Sequence, residues 1–460
     1  MKGDLVLVHC VDTEGPLHEP MDATFERIEN VYGLKFDPSS EQLKRIQEGL
    51  GLPENLRQDI MTFVSKDRLN YHKNWHEVDN CVRDLMRPEW RECLSDDFGQ
   101  GYIFSWFILD HVGFETNPRY RALGYHVIYD HYRNLLREFQ PAGDRLYFHT
   151  HPVPFFFEAN KTSNSFSFTN HHIQVINRRV IDYLDFPAAY RPGANCERPD
   201  INLFLEMWIP FDYGNQGMPQ NKLEKRQKDL VGGRWGDWRR ATSEWEVYHP
   251  DFYDYQKKGQ MKRYIARSLN LNSRVRPITV EEIRKAFHRA DTGKHTILAV
   301  TDHDEREMRP YIIDHMQNVR EVQKEFPGVN IRHANAVDAI RFAEHLPFQD
   351  PKDLQFAWHE NRLEILPQGP IWGPQPWFCF KTKDLRYIHE NLDRGDDDGW
   401  SYVFDENTIS LSQIEYIGIA TNDDYGNSVV YRLTPNRNLE LTVRKVWNEP
   451  HLTPLRSGAN

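Results

Sequence analysis

The chain has 460 residues, with 57 Lys and Arg against 68 Asp and Glu, a formal net charge of -11. That balance, with no Lys/Arg block able to neutralise a phosphate backbone, argues against a nucleic-acid partner. The length suits two domains or one large barrel with an appendage, and either buries a substantial core.

Taken in chain order, LVLVHCV from Leu5 reads as a buried strand that runs into Asp12, Thr13, Glu14 and Gly15. Residues 20 to 100 look largely helical, and SSEQLKRIQEGL opens with Ser39 and Gln42 at capping-box spacing, so this stretch is an inserted helical segment. YIFSWFILDHVGF from Tyr102 is a second apolar strand, HVIYDHYRNLLREF from His126 has helical spacing, and DRLYFHTHP is a third strand. A helix-like HHIQVINRRVIDYL precedes two more strand candidates, FPAAYRP near Phe186 and MWIPFDY near Met207. TVEEIRKAFHRA is helical, KHTILAVTDHD is a strand ending in polar residues, EMRPYIIDHMQNVREVQKEF is helical, and VNIRHANAVDAIRFA gives one more strand and helix.

Buried apolar strands separated by helices imply parallel βαβ units, hence an α/β barrel or a doubly wound sheet over residues 1–349. A barrel is preferred, because polar residues gather where the strands end. From Asp350 the pattern changes to short strands such as LQFAWHENRLEIL, WFCFKT, WSYVFDENTISL, IEYIGIATN, SVVYRLTP and LELTVRKVW, which predict a C-terminal β-sandwich over residues 350–460. Covering the barrel, pairing subunits into a homo-oligomer and contacting glycans are all compatible with its aromatic strands at Trp358, Trp377 and Trp400. DRGDDDG near Asp393 lacks the regular oxygen spacing of a calcium loop and reads as solvated.

Cys10, Cys81, Cys93, Cys196 and Cys379 are odd in number and scattered without CxxC spacing, which fits reduced thiols in a cytoplasmic protein. There is no basic, then apolar, then small-residue pattern of a signal peptide, and no apolar run approaches the roughly 18 residues of a spanning helix. The expectation is a protein without a membrane span.

The chemistry gathers at strand ends. Side chains at i and i+2 of a strand share a face, so Asp12 and Glu14 converge, as do His149 and His151. Two imidazoles at that spacing can share one metal, zinc being the simplest, and a carboxylate from a neighbouring strand completes three protein ligands with an open position. Without such a partner the two histidines are ordinary polar strand-end residues. In TDHDER, His303 lies between Asp302 and Asp304 and suits a general acid, or else a surface histidine. In YRPG, Arg191 can hold a carboxylate in fixed orientation, although RPG is also turn chemistry.

In their order, VDTEG, FHTHP, YRPG and VTDHD resemble the motifs of the polysaccharide deacetylase family (carbohydrate esterase family 4, the NodB-homology fold), particularly divergent members from bacterial surface-polysaccharide clusters. The resemblance covers the first strand and roughly residues 140 to 345. It departs from the family's usual form twice. The adjacent Asp-Asp pair is here Asp12-Thr13-Glu14, and the histidines usually separated by three or four residues are here His149-Thr150-His151.

The resemblance implies a distorted α/β barrel of about seven strands and a metal-dependent hydrolase that removes an N- or O-acyl group, acetyl first, from a carbohydrate in polysaccharide biosynthesis or modification. It implies Asp12 as general base, Glu14, His149 and His151 as ligands of a divalent metal such as zinc, Arg191 as the orienter of Asp12, and His303 as general acid. The spacing leaves the roles of Asp12 and Glu14 exchangeable. Phe155, Phe156, Trp208 and Tyr213 are candidates for a sugar-stacking wall or for core packing. Two rival readings stand beside this one. The first is a metal-free glycoside hydrolase using two carboxylates among Asp12, Glu14, Asp302 and Asp304, and the second a carbohydrate-binding protein without turnover.

Overall fold

The first strand, β1 (Leu5–Thr13), is buried along its whole length and organises everything that follows. In the computed structural model, which describes residues 2–163, 165–218, 236–273, 275–395, 398–435 and 441–447, it is followed by six more strands of one barrel. These are β2 (Phe104–Leu109), β3 (Arg145–Thr150), β4 (Ala189–Pro192), β5 (Phe211–Asn215), β6 (Tyr264–Asn270) and β7 (Thr296–His303). Each runs parallel to the next, and β1 pairs with both β2 and β7, which closes a seven-stranded parallel barrel. A short β8 (Ile331–His333) pairs with Leu5–Leu7, the half of β1 that β2 does not reach.

The period of two in β1 decides which residues face the barrel interior. Val6, Val8 and Cys10 pack with Phe107, Tyr147, Tyr213, Ala266 and Ala299, whereas Leu5, Leu7 and Val11 pack with helices Trp75–Met86, Val127–Phe139, Val280–Asp291 and Arg309–Gln323. Asp12 continues the inward set and so reaches the C-terminal mouth. Helix Ala336–Ala343 plugs the opposite end: the Tyr213 hydroxyl donates to the Ala336 carbonyl at 2.7 Å and the Ala336 N–H donates to Ser105 Oγ at 2.9 Å.

Between β1 and β2 the inserted segment is helical as expected, running from Met21–Tyr32 to Pro88–Glu92. Ser39 Oγ accepts from the Gln42 N–H at 3.1 Å and caps helix Ser40–Gln47. Phe25, Ile28, Ile46, Ile60 and Phe63 form the insert's own core. The segment before helix Trp75–Met86 touches the barrel mouth, since the His72 N–H donates to the Glu305 carbonyl at 2.8 Å and Arg306 Nη2 to the Tyr71 hydroxyl at 2.8 Å.

The C-terminal strands are β9 (Leu354–His359), β10 (Arg362–Pro367), β11 (Trp377–Thr382), β12 (Tyr387–His389), β13 (Asp393–Arg394), β14 (Trp400–Val403), β15 (Ile414–Asn422), β16 (Ser428–Pro435) and β17 (Leu441–Trp447). They form two antiparallel sheets, β13-β14-β10-β9 and β12-β11-β15-β16-β17. Leu363, Ile365, Trp400 and Tyr402 of the first sheet share a core with Phe378, Phe380, Ile417, Ile419 and Leu433 of the second, as in a sandwich. The outer face of the second sheet, with Trp377, Cys379, Ala420 and Val430, packs on the barrel's helices, where Trp377 Nε1 donates to Asn177 Oδ1 at 3.0 Å. The sandwich therefore covers a flank of the barrel.

Three expectations change. β6, YIARSLN, is a barrel strand that the sequence pattern did not mark. LQFAWHENRLEIL is a hairpin rather than one strand, turning at Glu360 with φ +55°. MWIPFDY is split between helix Pro199–Trp208 and β5. In DRGDDDG, Asp396 and Asp397 lie outside the described residues. No helix among the described residues is long and apolar enough to cross a membrane.

Candidate metal centre

The barrel's register brings the four sequence motifs to one level. Asp12 on β1 pairs with His303 on β7, and His149 on β3 pairs with Arg191 on β4. The barrel closes β1 between β2 and β7, so these strand ends converge on the mouth.

Arg191 Nε donates to both oxygens of Asp12, at 2.8 and 3.0 Å, while its Nη1 donates to the Tyr213 carbonyl at 3.0 Å and its Nη2 to Asn195 Oδ1 at 2.9 Å. The guanidinium is thus fixed on three sides and holds the carboxylate in one orientation. His303 Nε2 lies 3.7 Å from Asp12 Oδ2, and its side chain is 28% exposed against 4% for Asp12. His303 is the member of the pair that solvent reaches.

Glu14 lies on the histidine side. Its Oε1 is 3.4 Å from His151 Nε2 and its Oε2 is 2.7 Å from Arg121 Nη2. Burial alone would raise the Glu14 carboxyl, but Arg121 and His151 outweigh it and hold the group well below the usual carboxylate range. The donor atoms of Glu14, His149 and His151 lie within 4.8 Å of one another.

The two imidazoles show whether the residues fit a metal. His149 Nδ1 meets the Arg191 carbonyl at 2.9 Å, and a carbonyl only accepts, so Nδ1 carries the proton and Nε2 keeps its lone pair. That Nε2 is buried without a hydrogen-bond partner, and the buried Nε2 of His151 makes no hydrogen bond either, facing Glu14 Oε1 at 3.4 Å. Burial pushes the His149 imidazole down to about 4, so it is neutral at neutral pH, the form a metal requires. Two orphaned imidazole nitrogens beside an ionised carboxylate are three donors of the number and type found in catalytic zinc sites. The residues present fit a divalent metal.

Other residues of the same motifs, with Tyr132, complete the site. Asp304 Oδ1 accepts from the Glu14 N–H at 2.8 Å and from the Gly15 N–H at 3.1 Å, and its Oδ2 accepts from the Tyr132 hydroxyl at 2.7 Å. Burial pushes Asp304 up to about 7 despite those donors, and pushes Asp302 to a similar value. Asp302 Oδ1 accepts from the His303 N–H at 2.9 Å. Asp304 therefore ties the loop after β7 to the one after β1. Gly193 permits the close approach of His151, because a Cβ there would come within 2.0 Å of the imidazole Cδ2. Gly193 belongs to YRPG, and its need for an empty side chain is legible only once His151 is seen against it.

The aromatic wall is smaller than expected. Trp208 is buried against Trp377 at 5.0 Å between ring centres, and Tyr213 is fully buried inside the barrel, so neither offers a face to a sugar. Phe155 and Phe156, just after His151, are 67% and 83% exposed, and Phe155 packs edge-on against Phe168 at 4.5 Å. A small cavity beside His151 is lined also by Asp110, Thr150, Pro152, Val153 and His172. The larger groove, of about 670 Å³ and lined by Leu203, Met207, Phe252 and Met261, shares no residue with the cluster.

No family model, no curated protein and no solved structure matches the chain.

Proposed function

We propose that the protein is a metal-dependent hydrolase that removes an N- or O-acyl group, acetyl first, from a carbohydrate, as the ordered resemblance of its motifs to polysaccharide deacetylases implies. The observation that carries this reading is the trio Glu14, His149 and His151, whose facing donor atoms stand beside a separate Asp12–Arg191 pair. A bound divalent metal, with zinc as the simplest choice, supplies Lewis acidity to the acyl carbonyl and its attacking water. Glu14, His149 and His151 would hold it.

Asp12 is not spent on the metal in this arrangement. Its carboxylate, fixed by Arg191, takes the proton of the attacking water, and His303 delivers a proton to the departing sugar amine or hydroxyl. The partial exposure of His303 fits contact with a leaving group that remains joined to a large saccharide. Phe155 and Phe156 offer apolar faces to sugar rings next to His151. The glycoside hydrolase alternative is weaker, since Asp304 is occupied by two backbone N–H groups and Tyr132.

The test joins metal analysis to an assay of acetate release from acetylated oligosaccharides. The expected result is about one transition metal per chain, lost with activity on chelation and restored together with it. Full activity in metal-free protein would overturn the reading.

A further inference from the structure

Glu14 is held by a residue that none of the strand-end motifs contains. Arg121, between β2 and helix Val127–Phe139, places Nη2 2.7 Å from Glu14 Oε2, with both side chains buried. Its Nη1 donates to Glu305 Oε2 at 2.8 Å and its Nε to Asn160 Oδ1 at 3.1 Å. One guanidinium therefore ties the loops that follow β1, β7 and β3. Its own backbone is clamped in turn: Asn117 Oδ1 accepts from the Arg121 N–H and Asn117 Nδ2 donates to the Arg121 carbonyl, both at 2.8 Å. A planar fork reaches three acceptors at once, which a lysine ammonium on a flexible stem cannot.

The rest of Glu14 is equally committed. Its N–H donates to Asp304 Oδ1 at 2.8 Å and its carbonyl faces His111 Nε2 at 3.3 Å. Only Oε1 is left turned towards the imidazoles, 3.4 Å from His151 Nε2.

We infer that Arg121 is a positioning residue that, by engaging Glu14 Oε2, restricts Glu14 to a single donor oxygen. The inference rests on the metal-dependent reading above and deepens it. Three protein donor atoms leave a low coordination number with room for water, the condition of a catalytic zinc site. A carboxylate with both oxygens free can instead chelate an ion, as carboxylates do in oxygen-rich sites of higher coordination. The arginine thus selects among metals and geometries without touching the metal.

The test uses the full-length protein stripped of metal and titrated with cobalt(II), whose visible absorption reports coordination number, together with competition against a chromogenic chelator. Arg121→Lys keeps the charge but loses the fork. The double variant Arg121→Gln/Glu305→Gln removes one charge of each sign, so that Glu305 is not left as a second buried carboxylate without the arginine. Wild-type protein should give the intense bands of low-coordinate cobalt. Both variants should shift to the weak bands of higher coordination and bind about tenfold or more less tightly. Unchanged spectra and affinities, with only a lowered melting temperature, would show Arg121 to be a loop bracket and overturn the inference. Wild-type protein that takes up no cobalt while remaining folded would remove the metal-dependent reading, and this inference with it.

Discussion

Two buried charge clusters lie within the same barrel and resolve their charges in opposite ways. At the mouth, Arg191 holds Asp12, while Arg121 is shared by Glu14 and Glu305, whose other oxygen lies 4.0 Å from Arg306, so that three arginines face three acids, and the buried Nε2 atoms of His149 and His151 make no hydrogen bond. Towards β5 and β6, Glu197 and Asp212 share one arginine. Arg263 Nη2 donates to Glu197 Oε1 at 2.9 Å and Nη1 to Asp212 Oδ2 at 2.6 Å, with all three side chains wholly buried, and Nη2 also donates to Asn202 Oδ1. One bridging cation facing two acids in a dry interior favours retention of a proton. Burial, and then the neighbouring Asp212, hold Glu197 well above the usual carboxylate range. A closed cluster settles its charge internally and serves the scaffold. The mouth cluster instead gathers the donor atoms of Glu14, His149 and His151 within 4.8 Å of one another.

The largest expected effects separate the clusters by what is lost. His149→Ala should abolish metal binding and turnover together, whereas Asp12→Asn should keep the metal and lower kcat by about 10²- to 10⁴-fold, the usual contribution of a general base. Metal content by mass spectrometry and acetate release measure both, and full metal retention in His149→Ala would sink the assignment. Arg263→Ala should instead cost about 3–5 kcal/mol of stability in urea unfolding, because two buried acids lose the cation that bridges them, with metal content unchanged in the folded protein. Loss of metal without loss of stability in that variant would break the comparison.

A step smaller is Gly193→Ala. The new Cβ cannot coexist with the His151 ring, whose Cδ2 would lie 2.0 Å away. The ring must rotate, so metal affinity should fall by about tenfold or more while the barrel melts near its wild-type temperature. Wild-type affinity in a competition titration would place His151 outside the ligand set.

How much of this was legible in the sequence follows from where each signal lies. Strand ends such as VDTEG and FHTHP stand out because a continuous apolar run stops at titratable residues, and the parallel barrel then places all such ends on one face. β6 escaped because it buries polar side chains: Arg267 pairs with Glu282, Ser268 Oγ with Thr301 Oγ1 at 2.5 Å, and Asn270 Nδ2 with the Val275 carbonyl at 2.6 Å, partners that no local pattern predicts. The hairpin within LQFAWHENRLEIL lacked a Gly or Pro signal, since Glu360 itself takes the left-handed conformation. Arg121 joins the site only through tertiary contacts, as does the hold of Asp304 on the Glu14 backbone, and the separation of Asp12 from Glu14 depends on which arginine reaches each. Trp208 and Tyr213 show the converse, aromatic residues beside a barrel mouth that the fold consumes as core.

The smallest effect tests the closed cluster most directly. Glu197→Gln replaces an acid whose protonated form burial favours with an amide of the same shape, so at acidic pH stability should barely change. The sign of the pH dependence follows from the raised carboxyl. Folded protein binds a proton that unfolded protein releases above about pH 4.3, so this contribution is complete below that value and is lost as pH rises through the folded value. Because Asp212 is raised too and faces the same arginine, the loss belongs to the pair and spreads over two steps. Urea unfolding from pH 4 to 9 should therefore show wild-type stability declining on the alkaline side more steeply than that of Glu197→Gln, with the curves converging at low pH. Parallel curves across the range would mean that Glu197 is ionised in the folded protein, and that a single arginine suffices for two buried carboxylates.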